Sequence, residues 1–192
     1  DVASIRKILE HNSKSVVIID EAYIDFGGES SIRLINDYPN LLVIQTLSKS
    51  RSLAGLRVGF AAGNRELIEG LNRVKNSFNS YTLDRLAIAG AVEAIKDEAY
   101  FRETREKVIK TRERVSTKLA DIGFEVVDSM ANFIFVRHQR VYAYDIFQKL
   151  RERGILVRYF NKPRIDNFLR VTIGTDSEMD AFLEVIKNIV SE

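Results

Sequence analysis

The chain has 192 residues, 45% of them hydrophobic, enough to bury a substantial core in one domain or two small ones. Twenty-nine basic against 27 acidic residues leave a net charge of +2, too balanced to draw nucleic acid by bulk attraction. There is no cysteine, which excludes a disulfide framework and cysteine-ligated metal, and His11 and His138 lack metal-ligand spacing.

No apolar run approaches membrane-spanning length and no signal peptide opens the chain, so a cytoplasmic protein without membrane association is expected. The first residue is Asp1 rather than methionine, inside a helical pattern, and the chain reads as a piece of a longer polypeptide. Val2, Ile5, Ile8 and Leu9 recur at helical spacing over the first dozen residues. Val16-Val17-Ile18-Ile19 follows, an unbroken β-branched run of the kind found in strands covered on both faces. It ends in Asp20-Glu21-Ala22-Tyr23. Ligands gather beyond the carboxyl ends of strands in open α/β sheets, which gives Asp20 functional weight. The competing reading is an aspartate that caps the next turn.

Phe26 to Ser30 reads as a loop, and Ile32, Leu34 and Ile35 as a short helix stopped near Pro39. Leu41 to Thr46 is a second buried strand, leading into Leu47-Ser48-Lys49-Ser50-Arg51-Ser52-Leu53-Ala54-Gly55-Leu56-Arg57-Val58-Gly59. A lysine just past a buried strand sits where low polarity disfavours the ammonium, which is how lysine becomes a nucleophile. The hydroxyls of Thr46, Ser48, Ser50 and Ser52 and the guanidinium of Arg57 suit a phosphate group. A reactive amine beside a phosphate cradle points to a phosphorylated carbonyl cofactor held as a Schiff base. The plain alternative is a surface loop with a solvated lysine.

Thr46-Leu47-Ser48-Lys49 with Leu53 to Gly59 resembles the signature of the fold-type I, pyridoxal-phosphate-dependent aminotransferases, and within them the histidinol-phosphate aminotransferases. Val17 to Tyr23 resembles a second motif of that family. The resemblance implies that Lys49 carries pyridoxal 5'-phosphate and moves the substrate proton. It implies that a buried Asp20 pairs with the pyridinium nitrogen, Tyr23 donates to the phenolate oxygen, and Thr46, Ser48 and Arg57 anchor the phosphate. Tyr23 also reads as a half-buried core tyrosine. Arg51 stands where many relatives carry an aromatic residue or glycine, which leaves substrate preference open.

Arg57 to Ala62 reads as a third strand, and Gly63-Asn64 turns into a helix bearing Leu67, Ile68 and Leu71. Lys75 to Ser80 is polar apart from Phe78, an aromatic that the resemblance places beside the active site and that otherwise reads as tucked under the domain. Leu86, Ala87, Gly90, Ala91, Ala94 and Ile95 make a buried helix rich in small residues. From Glu98 to Asp121 the chain becomes highly charged, with Phe101, Val108, Val115 and Ile122 every seventh residue, and reads as one long helix with solvated charges. The α/β alternation stops there, so the domains are expected at 1–97 and 98–192.

The remainder reads as α+β. Phe124 to Val127, Asn132 to Val136, Ile155 to Val157 and Phe168 to Ile173 are strands, and Tyr142 to Leu150 is a helix stopped at Gly154. Thr175-Asp176-Ser177-Glu178 is a capping box opening a final helix. Arg158 and Arg170 lie in or beside apolar strands, where an arginine ordinarily faces solvent. Leu169 to Gly174 and Gly154 to Arg158 resemble segments whose arginines hold the substrate's carboxylate or phosphate, and Asn132 matches a supporting position.

The fold implied is α/β, part of the large transferase α/β/α sandwich followed by a small α+β carboxyl-terminal domain. The activity implied is exchange of an amino group between histidinol phosphate, a phosphorylated amine, and 2-oxoglutarate, a 2-oxo acid, in histidine biosynthesis. No metal is implied, and a homodimer is expected. A threonine-phosphate decarboxylase, which shares nearly the same lysine motif, or another class I/II pyridoxal-phosphate aminotransferase is the alternative, and an inactive truncated fragment is a further one, because the chain matches only the carboxyl-terminal half of the family.

Overall fold

Helix α1 (Val2–His11) opens behind Asp1, whose carboxylate accepts the Ser4 N–H at 2.7 Å and caps the first turn. In the computed structural model, which describes residues 1–191, the chain divides into two units, the first Asp1–Glu103 and the second beginning at Thr104.

In the first unit, strands β1 (Val17–Asp20), β2 (Leu41–Thr46) and β3 (Gly59–Gly63) lie side by side in that order. β1 and β2 are parallel and β3 is antiparallel to β2. A parallel pair needs a crossover, here the segment 21–40 with short 3₁₀ turns at Ile24–Phe26 and Ser31–Leu34. Register sets Val17 beside Leu41 and Ile19 beside Val43. Those residues pack with Val2, Leu9 and Leu34 into one apolar core. Ile18 and Asp20 alternate to the other face and are exposed, Ile18 at 58%. The expected burial on both faces is therefore not found: β1 is an edge strand with one covered face.

β3 starts at Gly59, later than the sequence pattern indicates, because Arg57 takes a left-handed backbone (φ 56°) that ends the 3₁₀ turn Ala54–Leu56. A Cβ on Gly59 would stand 2.9 Å from the Gln45 carbonyl oxygen, so only glycine permits this approach to β2. Helix α2 (Arg65–Phe78), capped by Asn64, extends through residues 75–78 of the polar stretch. Helix α3 (Arg85–Lys96) buries Ala87 and Ala91 with Leu47 and Val58. Leu86, Ile88, Val92 and Ile95 stay exposed, so the expectation of a buried helix holds for its small residues alone.

Helix α4 (Glu98–Asp121) contains the division between units. The second unit continues with β4 (Phe124–Val127), β5 (Phe133–His138), α5 (Ala143–Glu152), β6 (Arg158–Tyr159), β7 (Leu169–Thr172) and α6 (Asp176–Ser191). The strands form an antiparallel sheet in the order β4-β5-β7-β6. Val115 and Leu119 of α4, Ile146 and Leu150 of α5 and Ile186 of α6 close over Ile134, Val136 and Leu169. The capping box forms: Glu178 Oε2 accepts the Thr175 N–H at 2.7 Å and Thr175 Oγ1 accepts the Glu178 N–H at 3.4 Å.

Two expectations fail here. Ile155–Val157 is not a strand; Gly154 turns the chain at φ 76°, Leu156 is 81% exposed, and pairing begins at Arg158. The charges of α4 are not all solvated. Arg112 is buried and donates to the Ala131 carbonyl at 2.9 Å, Thr111 donates to Asp176 at 2.8 Å, and Arg114 pairs with Asp176 and Asp180.

Candidate functional site

Strand β2 delivers Lys49 on the turn beyond its carboxyl end. Lys49 Nζ lies 5.6 Å from the centroid of the Tyr23 ring and has no carboxylate partner among the described residues. The low-polarity burial expected of it is absent: Lys49 is exposed. Tyr23 is half-buried.

Asp20 ends β1 opposite Ile44, and its Oδ1 accepts the Ala22 N–H at 3.0 Å. Turn capping thus uses one oxygen, and the other has no partner among the described residues. The carboxylate is exposed, not buried as the resemblance implied, because it shares the exposed face of the edge strand β1 with Ile18. Thr46 Oγ1 lies 2.8 Å from Ser48 Oγ and accepts the Ser48 N–H at 3.1 Å, closing the tight bend into Lys49. Arg57 follows on the same loop. The Val58 carbonyl accepts the Leu47 N–H at 3.1 Å and is 3.3 Å from Thr46 Oγ1. Arg57 gives one guanidinium N–H to the Ala54 carbonyl at 2.8 Å and is otherwise exposed.

Ser52 and Arg57 both hold left-handed backbones, at φ 57° and 56°. Such conformations cost about 1–3 kcal/mol each and gather at functional loops. Arg51 is fully used by the scaffold. It donates to the Ala94 carbonyl at 2.7 Å and to Glu98 at 2.8 Å, and its guanidinium stacks 3.6 Å from the Phe101 ring centroid. Its hydrogen bond and charge hold the Glu98 carboxyl below the usual carboxylate range.

Two residues given no role in the sequence, Glu21 and Asp25, stand behind this turn. Glu21 is a buried carboxylate with four donors, and Asp25 accepts the hydroxyl hydrogen of buried Ser50. The available signal was an acidic residue directly after a strand end, followed by the Ser30-Ser31 pair.

Arg158 and Arg170 belong to the second unit and are register partners across β6 and β7. Arg170 keeps its Nε buried without a hydrogen bond, 5.3 Å separating its guanidinium carbon from the Phe133 ring centroid. Asn132 precedes Phe133 and accepts the Ile173 N–H on its backbone carbonyl at 2.9 Å. Phe78 is the last residue of α2 and is 79% exposed. The structure thus gathers Asp20, Tyr23, Thr46, Ser48, Lys49 and Arg57 at one end of the first sheet, and pairs Arg158 with Arg170 in the second.

A model of the aminotransferase class I and II family matches residues 1–186. The chain is similar to a histidinol-phosphate aminotransferase of Clostridium acetobutylicum, 65% identical over 190 residues, which cover 99% of this chain and 54% of that relative. It therefore spans about half the length of the curated relatives it matches. A crystal structure of a histidinol-phosphate aminotransferase from Clostridium acetobutylicum superposes with a TM-score of 0.90 at 25% identity, covering 100% of this chain and 59% of that one. The fold is also that of the Sinorhizobium meliloti histidinol-phosphate aminotransferase solved with pyridoxal-5'-phosphate, at a TM-score of 0.85 and 23% identity, covering 97% and 52% of the two chains. On the match across residues 1–186, the chain belongs to the class I and II aminotransferase family.

Proposed function

We propose that the chain is the carboxyl-terminal part of a pyridoxal-phosphate-dependent aminotransferase that exchanges an amino group between histidinol phosphate and 2-oxoglutarate. The observation that carries the reading is the Lys49 ammonium, without an ion partner beside the Tyr23 ring, on a turn built from Thr46 and Ser48. The relative that is 65% identical supplies the substrate class.

The donor set fits a phosphorylated pyridine aldehyde. Ser48, Thr46 and the spare guanidinium N–H groups of Arg57 would hold the phosphate. The free carboxylate oxygen of Asp20 would hold the ring-nitrogen proton, and the Tyr23 hydroxyl would donate to the ring oxygen. Bound pyridoxal phosphate supplies an aldehyde that captures amines and a protonated ring that accepts electrons. Lys49 would hold that group, and its Nζ would carry the proton between the substrate carbon and the group's aldehyde carbon. Arg158 and Arg170 hold the substrate phosphate, Asn132 supports them and Phe78 borders the site. In this reading residues 1–97 belong to the family's large domain and 98–192 to its small one. The enzyme is a cytoplasmic homodimer, and the half that this chain lacks relative to its relatives completes the pocket.

The test is glutamate formation from histidinol phosphate and 2-oxoglutarate by the chain joined to an amino-terminal half, with Lys49→Ala beside it. The reading requires glutamate-linked exchange that Lys49→Ala abolishes. Carbon dioxide with an amine product would identify a decarboxylase instead.

A further inference from the structure

Glu21 is only 5% exposed, and a carboxylate so placed persists only when its oxygens are fully hydrogen-bonded. Its Oε1 accepts the Ser31 N–H and hydroxyl, both at 2.7 Å, and its Oε2 accepts the Ser30 hydroxyl at 2.6 Å and the Gln45 side-chain N–H at 2.8 Å. Its own N–H donates to the Ile44 carbonyl at 2.9 Å. The residue following Asp20 is thereby bound to the end of β2, one position before Thr46. Asp25 sits in the 3₁₀ turn that follows Tyr23, and accepts the hydroxyl hydrogen of Ser50, the residue after Lys49. Ser50 is 8% exposed, so this bond is shielded from water.

We propose that Glu21 and Asp25 are positioning residues that clamp the Lys49 turn from both sides, Glu21 through Gln45 and Asp25 through Ser50, onto the segment carrying Asp20 and Tyr23. The inference rests on the proposed function for its purpose, since neither carboxylate is offered a place at the cofactor. The need for a clamp is physical. Apolar packing anchors Leu47 and Val58 against Ala87 and Ala91 at the base of the turn but includes no residue from 48 to 52, Ser52 holds a left-handed backbone, and a displacement of about 1 Å at a reacting group can cost about 100-fold in rate. Directional hydrogen bonds fix such a turn where apolar contact alone would let it slide.

The experiment uses the chain joined to an amino-terminal half, by amide hydrogen exchange and by borohydride trapping of added pyridoxal phosphate with peptide mapping. The protected amides at issue are Leu47, Ser52 and Leu53, which donate to Val58, Lys49 and Leu47. Asp25→Asn and Ser50→Ala should speed their exchange about tenfold and lower the share of label on Lys49 severalfold, with circular dichroism unchanged. Ser50→Thr, which keeps the hydroxyl, should restore both readouts. Glu21→Gln should act likewise, and Gln45→Leu tests the same arm if Glu21→Gln does not fold. Wild-type exchange and wild-type labelling in Asp25→Asn and Ser50→Ala would overturn the clamp. A wild-type joined protein whose Lys49 is labelled no more than exposed Lys14 or Lys162 would overturn the proposed function, and the exchange rates would still decide the clamp.

Discussion

Arg158 and Arg170 stand directly opposite each other across the β6–β7 ladder, with no carboxylate paired to either among the described residues. Like charges so placed destabilise a sheet by about 0.2–1 kcal/mol, and the buried Arg170 Nε adds to that. A doubly charged anion between them removes the repulsion. Inorganic phosphate at ten times its dissociation constant should raise the stability of the chain by about 1.4 kcal/mol. Arg170→Met should raise stability without phosphate by about 0.5–1 kcal/mol and abolish the phosphate effect. Thermal unfolding with and without phosphate, at low salt, measures both.

The left-handed backbone of Ser52 makes a second prediction. Ser52→Gly should raise stability by about 1 kcal/mol and Ser52→Val should lower it by more, because glycine alone has no Cβ to clash there. Arg57→Gly relieves the same strain, yet removes a proposed phosphate donor and should weaken pyridoxal phosphate binding. Urea unfolding and cofactor titration separate the two effects.

Arg51 is expected to act on stability. Arg51→Met keeps the apolar stem and loses the Glu98 pair, the bond to the Ala94 carbonyl and the stack on Phe101, which should cost about 2 kcal/mol. Glu98→Gln should cost less than Arg51→Met, because half of the Glu98 side chain is in water. Urea midpoints of the single and double variants test the ranking.

Three carboxyls are held below the usual range: Glu98 by Arg51, Asp176 by the Thr111 hydroxyl and Arg114, and Glu178 by the Thr175 N–H and hydroxyl. A group depressed in the folded state stabilises above its unfolded pKa and loses that stabilisation as pH falls through its folded pKa. Stability should therefore be level near neutrality and fall below the usual carboxylate range. Asp176→Asn and Glu178→Gln should each flatten the acid limb of a pH series of melting temperatures.

Much of this architecture is legible in local pattern. The apolar runs around residues 17–19 and 41–44 form strands, and the Thr175–Glu178 box opens α6, which buries Met179, Phe182, Leu183, Ile186, Ile189 and Val190. What local pattern hides is what lies across the sheet. An apolar run such as Val16–Ile19 looks the same with one covered face as with two, so the exposure of Ile18, Asp20 and Lys49 has no signature. Ile155–Val157 is apolar enough for a strand, but the left-handed turn at Gly154 leaves it without a pairing partner. Glu21 was missed because its four donors come from residues 30, 31 and 45, contacts that only the crossover creates.

The central claim is that Lys49 is the lysine that binds pyridoxal phosphate, and the most direct measurement is to reduce pyridoxal phosphate with borohydride on the chain joined to an amino-terminal half and map the labelled peptides. The account predicts that Lys49 carries most of the label and that inorganic phosphate, competing for Ser48 and Arg57, lowers that share. Label spread evenly over exposed lysines such as Lys7, Lys14 and Lys162, and indifferent to phosphate, would contradict it.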